Sequence, residues 1–212
     1  MNTQDLAGIL NTGSETLLGR KLTAAECDQM LAYLALLQRW NATYNLTAIR
    51  DPVEMVTRHL LDSLSIWPWV TDGPVLDAGT GAGLPGVPLA ILRPDLQFTL
   101  LDRAGKKIRF LRQVKRELGL DNILPLQARL ETHLPPQPNG IIISRAFSSL
   151  QDFATASREL MGSHTRLLAM KGRNPKDEQA DLPAWIKVDS VQELVVPGLQ
   201  EQRHLVIMSL SQ

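Results

Sequence analysis

The sequence predicts an α/β fold: a mostly parallel sheet wrapped by helices, closed by an antiparallel hairpin, and preceded by a helical extension. Three observations carry this expectation. From Pro74 onward, short apolar runs alternate with stretches of helical period, the pattern of strand–helix–strand units. The last two apolar runs, 187–196 and 203–210, are separated only by Pro197-Gly198 and a few polar residues, too short a gap for a crossover and so a hairpin. Before Pro74 the chain carries helix start signals and no strand pattern.

Each element has a local reason. Thr23-Ala24-Ala25-Glu26 is a capping box, in which the Thr hydroxyl accepts from the amide of the third helical residue and the Glu reaches back. Met30, Leu34, Leu37 and Trp40 then recur at helical period. Asp51-Pro52-Val53-Glu54 is a second start, with a cap, a proline at the first helical position and an acid in the first turn. That helix should run to Ser65 and stop before Trp67-Pro68. Candidate strands follow at 75–79, 97–102, 123–128, 140–146, 166–171, 187–196 and 203–210, and candidate helices at 85–92, 105–118, 149–160 and 175–182. Residues 1–70 therefore read as a helical extension packed on a core domain, 71–212.

Composition narrows the function classes. The 212 residues carry 22 basic and 22 acidic side chains, so any nucleic-acid role must rest on a local basic surface rather than on net charge. Cys27 is the single cysteine, which excludes an intramolecular disulfide and a cysteine metal cluster and fits a reducing cytoplasm. The four histidines are scattered without metal-ligand spacing. The stretch Met1–Asp5 lacks the basic and apolar regions of a signal peptide. No apolar run approaches the roughly 18 residues of a membrane span, so no membrane partner is expected.

The glycine-rich stretch Asp77-Ala78-Gly79-Thr80-Gly81-Ala82-Gly83-Leu84-Pro85-Gly86 is the most informative segment. Its second half satisfies the dinucleotide fingerprint letter for letter, and Asp102 ends the next strand as that fingerprint also requires. Register separates the possibilities. The strand ends at the acid Asp77, whose charge would repel a pyrophosphate but attract the sulfonium and ammonium of S-adenosylmethionine. Asp102 can accept from ribose hydroxyls under either reading, or simply start the helix at 105. A dinucleotide-dependent oxidoreductase would also need a substrate domain, and only about 40 residues follow Gly172.

Candidate substrate-side residues lie on the same edge. Arg103, Lys106, Lys107, Arg109, Arg112, Lys115 and Arg116 face Glu117 alone within 103–117. With Ile108, Phe110, Leu111 and Val114 turned inward, this helix presents a basic outer face, either merely solvated or in contact with phosphate. Arg145 ends the fourth strand and Lys171 the fifth, where ligands of open α/β sheets bind. Arg145 reads either as a site residue or as a structural ion pair. Arg58, His59, Asp62 and Ser63 share helical spacing, so His59 should face Asp62 and Ser63, as a satisfied structural histidine or part of a lid. The tools for harder acceptors are missing. No Asn/Asp-Pro-Pro-Tyr tetrapeptide follows the fourth strand, and Cys27 lies in the extension, away from the sheet. An acceptor with a free lone pair fits better.

A parallel sheet ending in an antiparallel hairpin resembles the class I methyltransferases. Taken together, the motifs resemble the bacterial 16S ribosomal RNA guanine-N7 methyltransferases, the glucose-inhibited division protein B family. The resemblance rests on Trp40-Asn41, Tyr44-Asn45-Leu46-Thr47 through Arg50, Arg58-His59-Leu60-Leu61-Asp62-Ser63, the glycine stretch from Asp77, and Leu100-Leu101-Asp102. It continues with Lys106-Lys107-Ile108-Arg109-Phe110-Leu111, Ser144-Arg145-Ala146-Phe147, Lys171-Gly172 and Arg203-His204-Leu205. The family implies S-adenosylmethionine bound around Gly79 and Leu84, at Leu130-Glu131 and at Arg145; Gly81 and Asp102, reached from the glycine loop and the strand end, are cofactor candidates beside them. It implies a guanine of 16S ribosomal RNA as acceptor, presented by the small subunit or its precursor. Arg145 and Lys171 would then position the base, with Arg58, His59, Lys106, Lys107 and Arg109 toward RNA. Methyl transfer to a protein or small molecule, and a noncatalytic assembly role, stay open beside it.

Overall fold

The computed structural model describes residues 3–211; Met1 and Asn2, part of the stretch read for signal-peptide features, lie outside them. Two long helices open the chain, α1 (Thr3–Leu18) and α2 (Ala24–Tyr44). The capping box forms as expected, with the Thr23 hydroxyl accepting from the Glu26 amide at 3.2 Å and Glu26 accepting from the Thr23 amide at 2.7 Å. α2 ends where Asn45 turns left-handed, φ 48°, a conformation that asparagine tolerates better than most residues. Asp51 caps the next helix through its side chain. That helix starts as α3 (Pro52–Met55), loosens into a π-helical stretch (Val56–Leu61) and recovers as α4 (Asp62–Leu64). The wide turn spans Arg58 and His59, a position where such bulges often mark function.

The sheet runs β1 (Val75–Ala78), β2 (Phe98–Asp102), β3 (Ile123–Gln127), β4 (Asn139–Ser144), β5 (Met161–Lys171), β6 (Ile186–Glu193) and β7 (His204–Leu210). Their spatial order is β3-β2-β1-β4-β5-β7-β6. The first five are parallel, and β7 lies antiparallel between β5 and β6. The expected hairpin is present, and this order differs from the 3-2-1-4-5-6 of the dinucleotide fold. Pro125 is tolerated because β3 is an edge strand.

Strand pleating divides the core in two. Val75, Leu100, Ile141, Ile143 and Leu168 face α5 (Gly86–Leu92), α6 (Gly105–Leu118) and the helices of the extension in one continuous cluster. Leu76, Ala78, Leu101, Ile142 and Leu167 face α7 (Leu150–Ser157) on the other side. α6 follows the sequence reading, with Ile108, Phe110, Leu111 and Val114 buried and Gly119 closing it at φ 64°.

Several boundaries differ from expectation: β4 ends at Ser144 rather than 146 and β6 at Glu193 rather than 196, and three further differences are larger or change the element. β5 starts at Met161, not 166, because the Thr165 hydroxyl bridges Gly162 N–H and the Asn139 carbonyl and extends the pairing with β4. The helix expected at 149–160 stops at Ser157 and tightens into a 3₁₀ turn, Arg158–Leu160. The helix expected at 175–182 shrinks to the single 3₁₀ turn Asp177–Gln179. Pro175 and Pro183 bracket it, and Glu178 is drawn off to the Leu150 amide at 2.7 Å and to Lys171 at 2.9 Å. Among the described residues no helix is long and apolar enough to cross a membrane.

Candidate active site

β1 feeds α5 on one side while β4 lies on its other edge, so the strand order reverses between β1 and β4, the point where open α/β sheets leave a crevice. Gly79 follows β1 there, at φ 70°. A Cβ at this position would come within 2.8 Å of the Ala146 Cβ after β4, so only glycine keeps the crevice open. The resulting cleft holds about 320 Å³, with Asp102 and Lys107 on one wall, Leu130 and Glu131 on another, and Ala146 and Phe147 closing it.

The loop above β1 is tied down by buried acid chemistry. Asp77 is fully buried. Its Oδ2 accepts from the Thr80 hydroxyl at 2.6 Å and from the Gly86 amide at 2.8 Å. This corrects the expectation that Asp77 meets a cationic ligand: its carboxylate lies under the loop. Burial pushes its pKa up to about 6. Gly86 permits the approach, since a Cβ there would fall 2.7 Å from Asp77 Oδ2 and 2.3 Å from Leu100.

Asp102 is held by three donors at the end of β2. Its Oδ1 accepts from the Ala104 amide at 2.8 Å, at the start of α6, while Oδ2 accepts from the Gly81 amide at 3.0 Å and from Lys107 Nζ at 3.2 Å. It nevertheless borders the cleft, and a carboxylate has roughly four acceptor sites. Gly81, at φ 63°, sits beside Lys107 rather than in the cleft wall. The Leu84 side chain is buried in the core that faces the extension. The Leu130-Glu131 turn after β3 does line the cleft, with Leu130 buried and Glu131 exposed.

Arg145 lies next door rather than in the cleft. With Arg58, His59, Asp62, Lys171 and Arg203 it lines an adjoining pocket of about 350 Å³. Its Nη1 donates to Asp62 Oδ2 at 2.9 Å and to the Arg58 carbonyl at 3.3 Å. Arg203 Nε donates to the other oxygen of Asp62 at 2.9 Å. Asp62, 1% exposed, thus holds two arginines at one pocket wall. Lys171 is paired with Glu178 and donates to the Ser148 carbonyl at 2.9 Å, and Arg58 pairs with Glu201.

His59 does not face Asp62. Its Nε2 meets the Thr47 hydroxyl at 3.0 Å, while buried Nδ1 has no partner. Ser63 donates to its backbone carbonyl instead of its ring. Burial, and then the Arg145 charge, lower its pKa to about 4, so the ring is neutral near pH 7. Lys106 donates to the Tyr44 carbonyl at 2.8 Å, and Arg109 is exposed on the outer face of α6. Sequence reasoning missed the anchoring role of Asp62, although its spacing from Arg58 was visible. It also missed Tyr33, which had no signal beyond a buried helical position.

Comparison with known proteins decides the family. The family model described as rRNA small subunit methyltransferase G matches residues 26–206. The chain belongs to this family. A ribosomal RNA small subunit methyltransferase G of Pseudomonas fluorescens is 54% identical over 206 residues, 97% of this chain and 96% of that one. Its counterpart in P. aeruginosa is 55% identical over 207 residues, again 97% and 96%. In fold, this chain is similar to a SAM-dependent methyltransferase of Aquifex aeolicus. The TM-score is 0.56 and identity 18%, covering 78% of this chain and 97% of that one. It is also similar to a tRNA methyltransferase of B. subtilis, with TM-score 0.58 and identity 9%, covering 71% and 65%. The fold is thus that of the class I S-adenosylmethionine-dependent methyltransferases, with an N-terminal helical extension.

Proposed function

We propose that this protein transfers the methyl group of S-adenosylmethionine to N7 of a guanine in 16S ribosomal RNA, within the small subunit or its precursor. The single observation that carries the reading is the adjacency of two cavities: a glycine-cradled cleft at the β1/β4 reversal, and a pocket lined by arginines that begins one residue away, at Arg145. Residues 71–212 form the catalytic domain, and 1–70 an extension that braces it.

The residues present fit the cofactor. Gly79 leaves room for it where any side chain would close the cleft. Asp102 retains acceptor capacity for ribose hydroxyls, Leu130 offers an apolar surface to the adenine ring, and Glu131 an acceptor for its amine. When bound, S-adenosylmethionine supplies an electrophilic methyl on a sulfonium. Guanine N7 already holds an unprotonated lone pair at neutral pH, so the protein needs no general base. Its residues instead orient the base and exclude water, which lets effective molarity supply most of the barrier reduction. Arg145 and Lys171 orient the guanine through O6 and leave N7 free, so the usual bidentate arginine–guanine pairing is excluded. Arg58, His59, Lys106, Lys107 and Arg109 lie toward the RNA.

The test is to delete the gene, map N7-methylguanine in small-subunit RNA, and add back purified protein with S-adenosylmethionine. Loss and restoration at one guanine are expected. Unchanged methylation after deletion would overturn the reading. So would calorimetric binding of a dinucleotide but not of S-adenosylmethionine. Arg145→Ala should lower methylation while leaving the fold intact.

A further inference from the structure

The cations of α6 and the aromatic end of α2 meet at one surface that the cofactor cleft does not use. Tyr44 is the last residue of α2 and is 37% exposed. Its ring lies against Trp40, centroids 5.2 Å apart and planes inclined 31°, and Trp40 in turn packs on Phe110 of α6 at 5.7 Å. The aromatic is therefore held from beneath while part of it faces solvent. Among the described residues its hydroxyl makes no hydrogen bond, and Lys106 donates to its carbonyl. Around it, Arg50, Lys106, Arg109 and Arg112 are exposed, and among the described residues none pairs with a carboxylate. Most other arginines pair with acids, Arg39, Arg58, Arg93 and Arg166 among them. In a protein of zero net charge, four cations without a paired acid thus stand beside a half-open aromatic.

We propose that Tyr44 is a stacking platform for an unpaired nucleotide of the RNA substrate, flanking the target guanine, with the cations of α6 holding its phosphates. An aromatic face supplies sequence-tolerant binding to an unstacked base, and neighbouring cations supply the salt-dependent backbone term. The surface is continuous with the site: Lys106 touches Tyr44, and its neighbour Lys107 pairs with Asp102 at the cleft wall. A strand that delivers its guanine to the pocket can thus run along α6 with an adjacent base on Tyr44. This inference rests on the RNA methyltransferase reading above.

The experiment compares methylation of small ribosomal subunits from a gene-deleted strain by wild type, Tyr44→Ala, Tyr44→Leu and Tyr44→Phe. Phe keeps the ring, and Leu keeps apolar bulk without it, so Leu separates stacking from packing. The expected result is about a tenfold or larger loss of kcat/KM in the Ala and Leu variants, carried mainly by KM, with Phe close to wild type. Affinity for S-adenosylmethionine and melting temperature should stay unchanged. The dependence of RNA affinity on salt should keep its slope in the Tyr44 variants, and lose about one unit in Arg109→Ala. An active wild type whose Leu variant matches it, or whose Leu and Phe variants fall together, overturns the platform alone. A wild type inactive on RNA overturns the functional reading, and the platform with it.

Discussion

The Tyr33 hydroxyl donates a 2.9 Å hydrogen bond to the carbonyl oxygen of Ala82, joining the second helix of the extension to the middle of the glycine loop. Tyr33 is fully buried and its ring lies 6.3 Å from Phe110 of α6. Burial pushes its pKa up, so the donor is not lost at working pH. Tyr33→Phe leaves a buried carbonyl unpaired, at a cost of about 1–3 kcal/mol. Scanning calorimetry should show a lower melting temperature, and titration calorimetry several-fold weaker binding of S-adenosylhomocysteine. Unchanged affinity would mean that the extension does not set the loop.

Gly79→Ala introduces a Cβ 2.8 Å from that of Ala146, at a φ of 70°. The backbone strain costs about 1–2 kcal/mol, and the added methyl narrows the cleft. Cofactor affinity should fall about tenfold or more while circular dichroism stays native. Normal binding by this variant would place the cofactor elsewhere.

Asp62 bridges Arg145 and Arg203 from a buried position. Asp62→Ala leaves two guanidinium groups without their counter-ion, a change that costs about 3–5 kcal/mol for buried pairs. Asp62→Asn keeps the size and one acceptor. We expect the Asn variant to fold, to bind cofactor, and to lose methylation at least tenfold, measured by methyl incorporation into small-subunit RNA. Near-normal activity in Asp62→Asn would show that the arginines need no anchoring.

Two buried groups give opposite pH dependences. The Asp77 carboxyl has its folded pKa raised to about 6 from 3.8. The native state therefore holds this proton more tightly, and the stability it contributes is present at low pH and lost as pH rises from about 4 through 6. His59 has its folded pKa lowered to about 4 from 6.5. The unfolded state then binds the extra proton, so that contribution is present above 6.5 and lost as pH falls toward 4. Urea unfolding across pH 4–7 should show Asp77→Asn gaining stability relative to wild type as pH rises. His59→Gln should lose its disadvantage as pH falls. Differences independent of pH in both variants would remove this assignment.

Local chemistry made much of the molecule legible in the sequence. The capping box at Thr23, the Asp51 start, the span of α6 and the closing hairpin all follow from interactions within a few residues, and each formed as read. The glycine stretch marked the cleft because a backbone at positive φ leaves its own trace in residue type. The short turn at 177–179 was misread because Glu178 is claimed by Leu150 and Lys171, partners 28 and 7 residues away.

The sequence by itself determined the fold class, the family and the edge of the sheet where the candidate site lies. Only the tertiary structure decided what each charge does there. Asp77 looked like a ligand contact and is a buried tie for the loop, and Asp62 belongs to two arginines rather than to His59. Arg145 and Arg203 lie 83 and 141 residues from Asp62 in the chain. The physical reason is one of range: backbone conformation and amphipathic period are set by near neighbours, whereas a buried charge is settled by whichever opposite charge the packing of distant elements brings within about 3 Å.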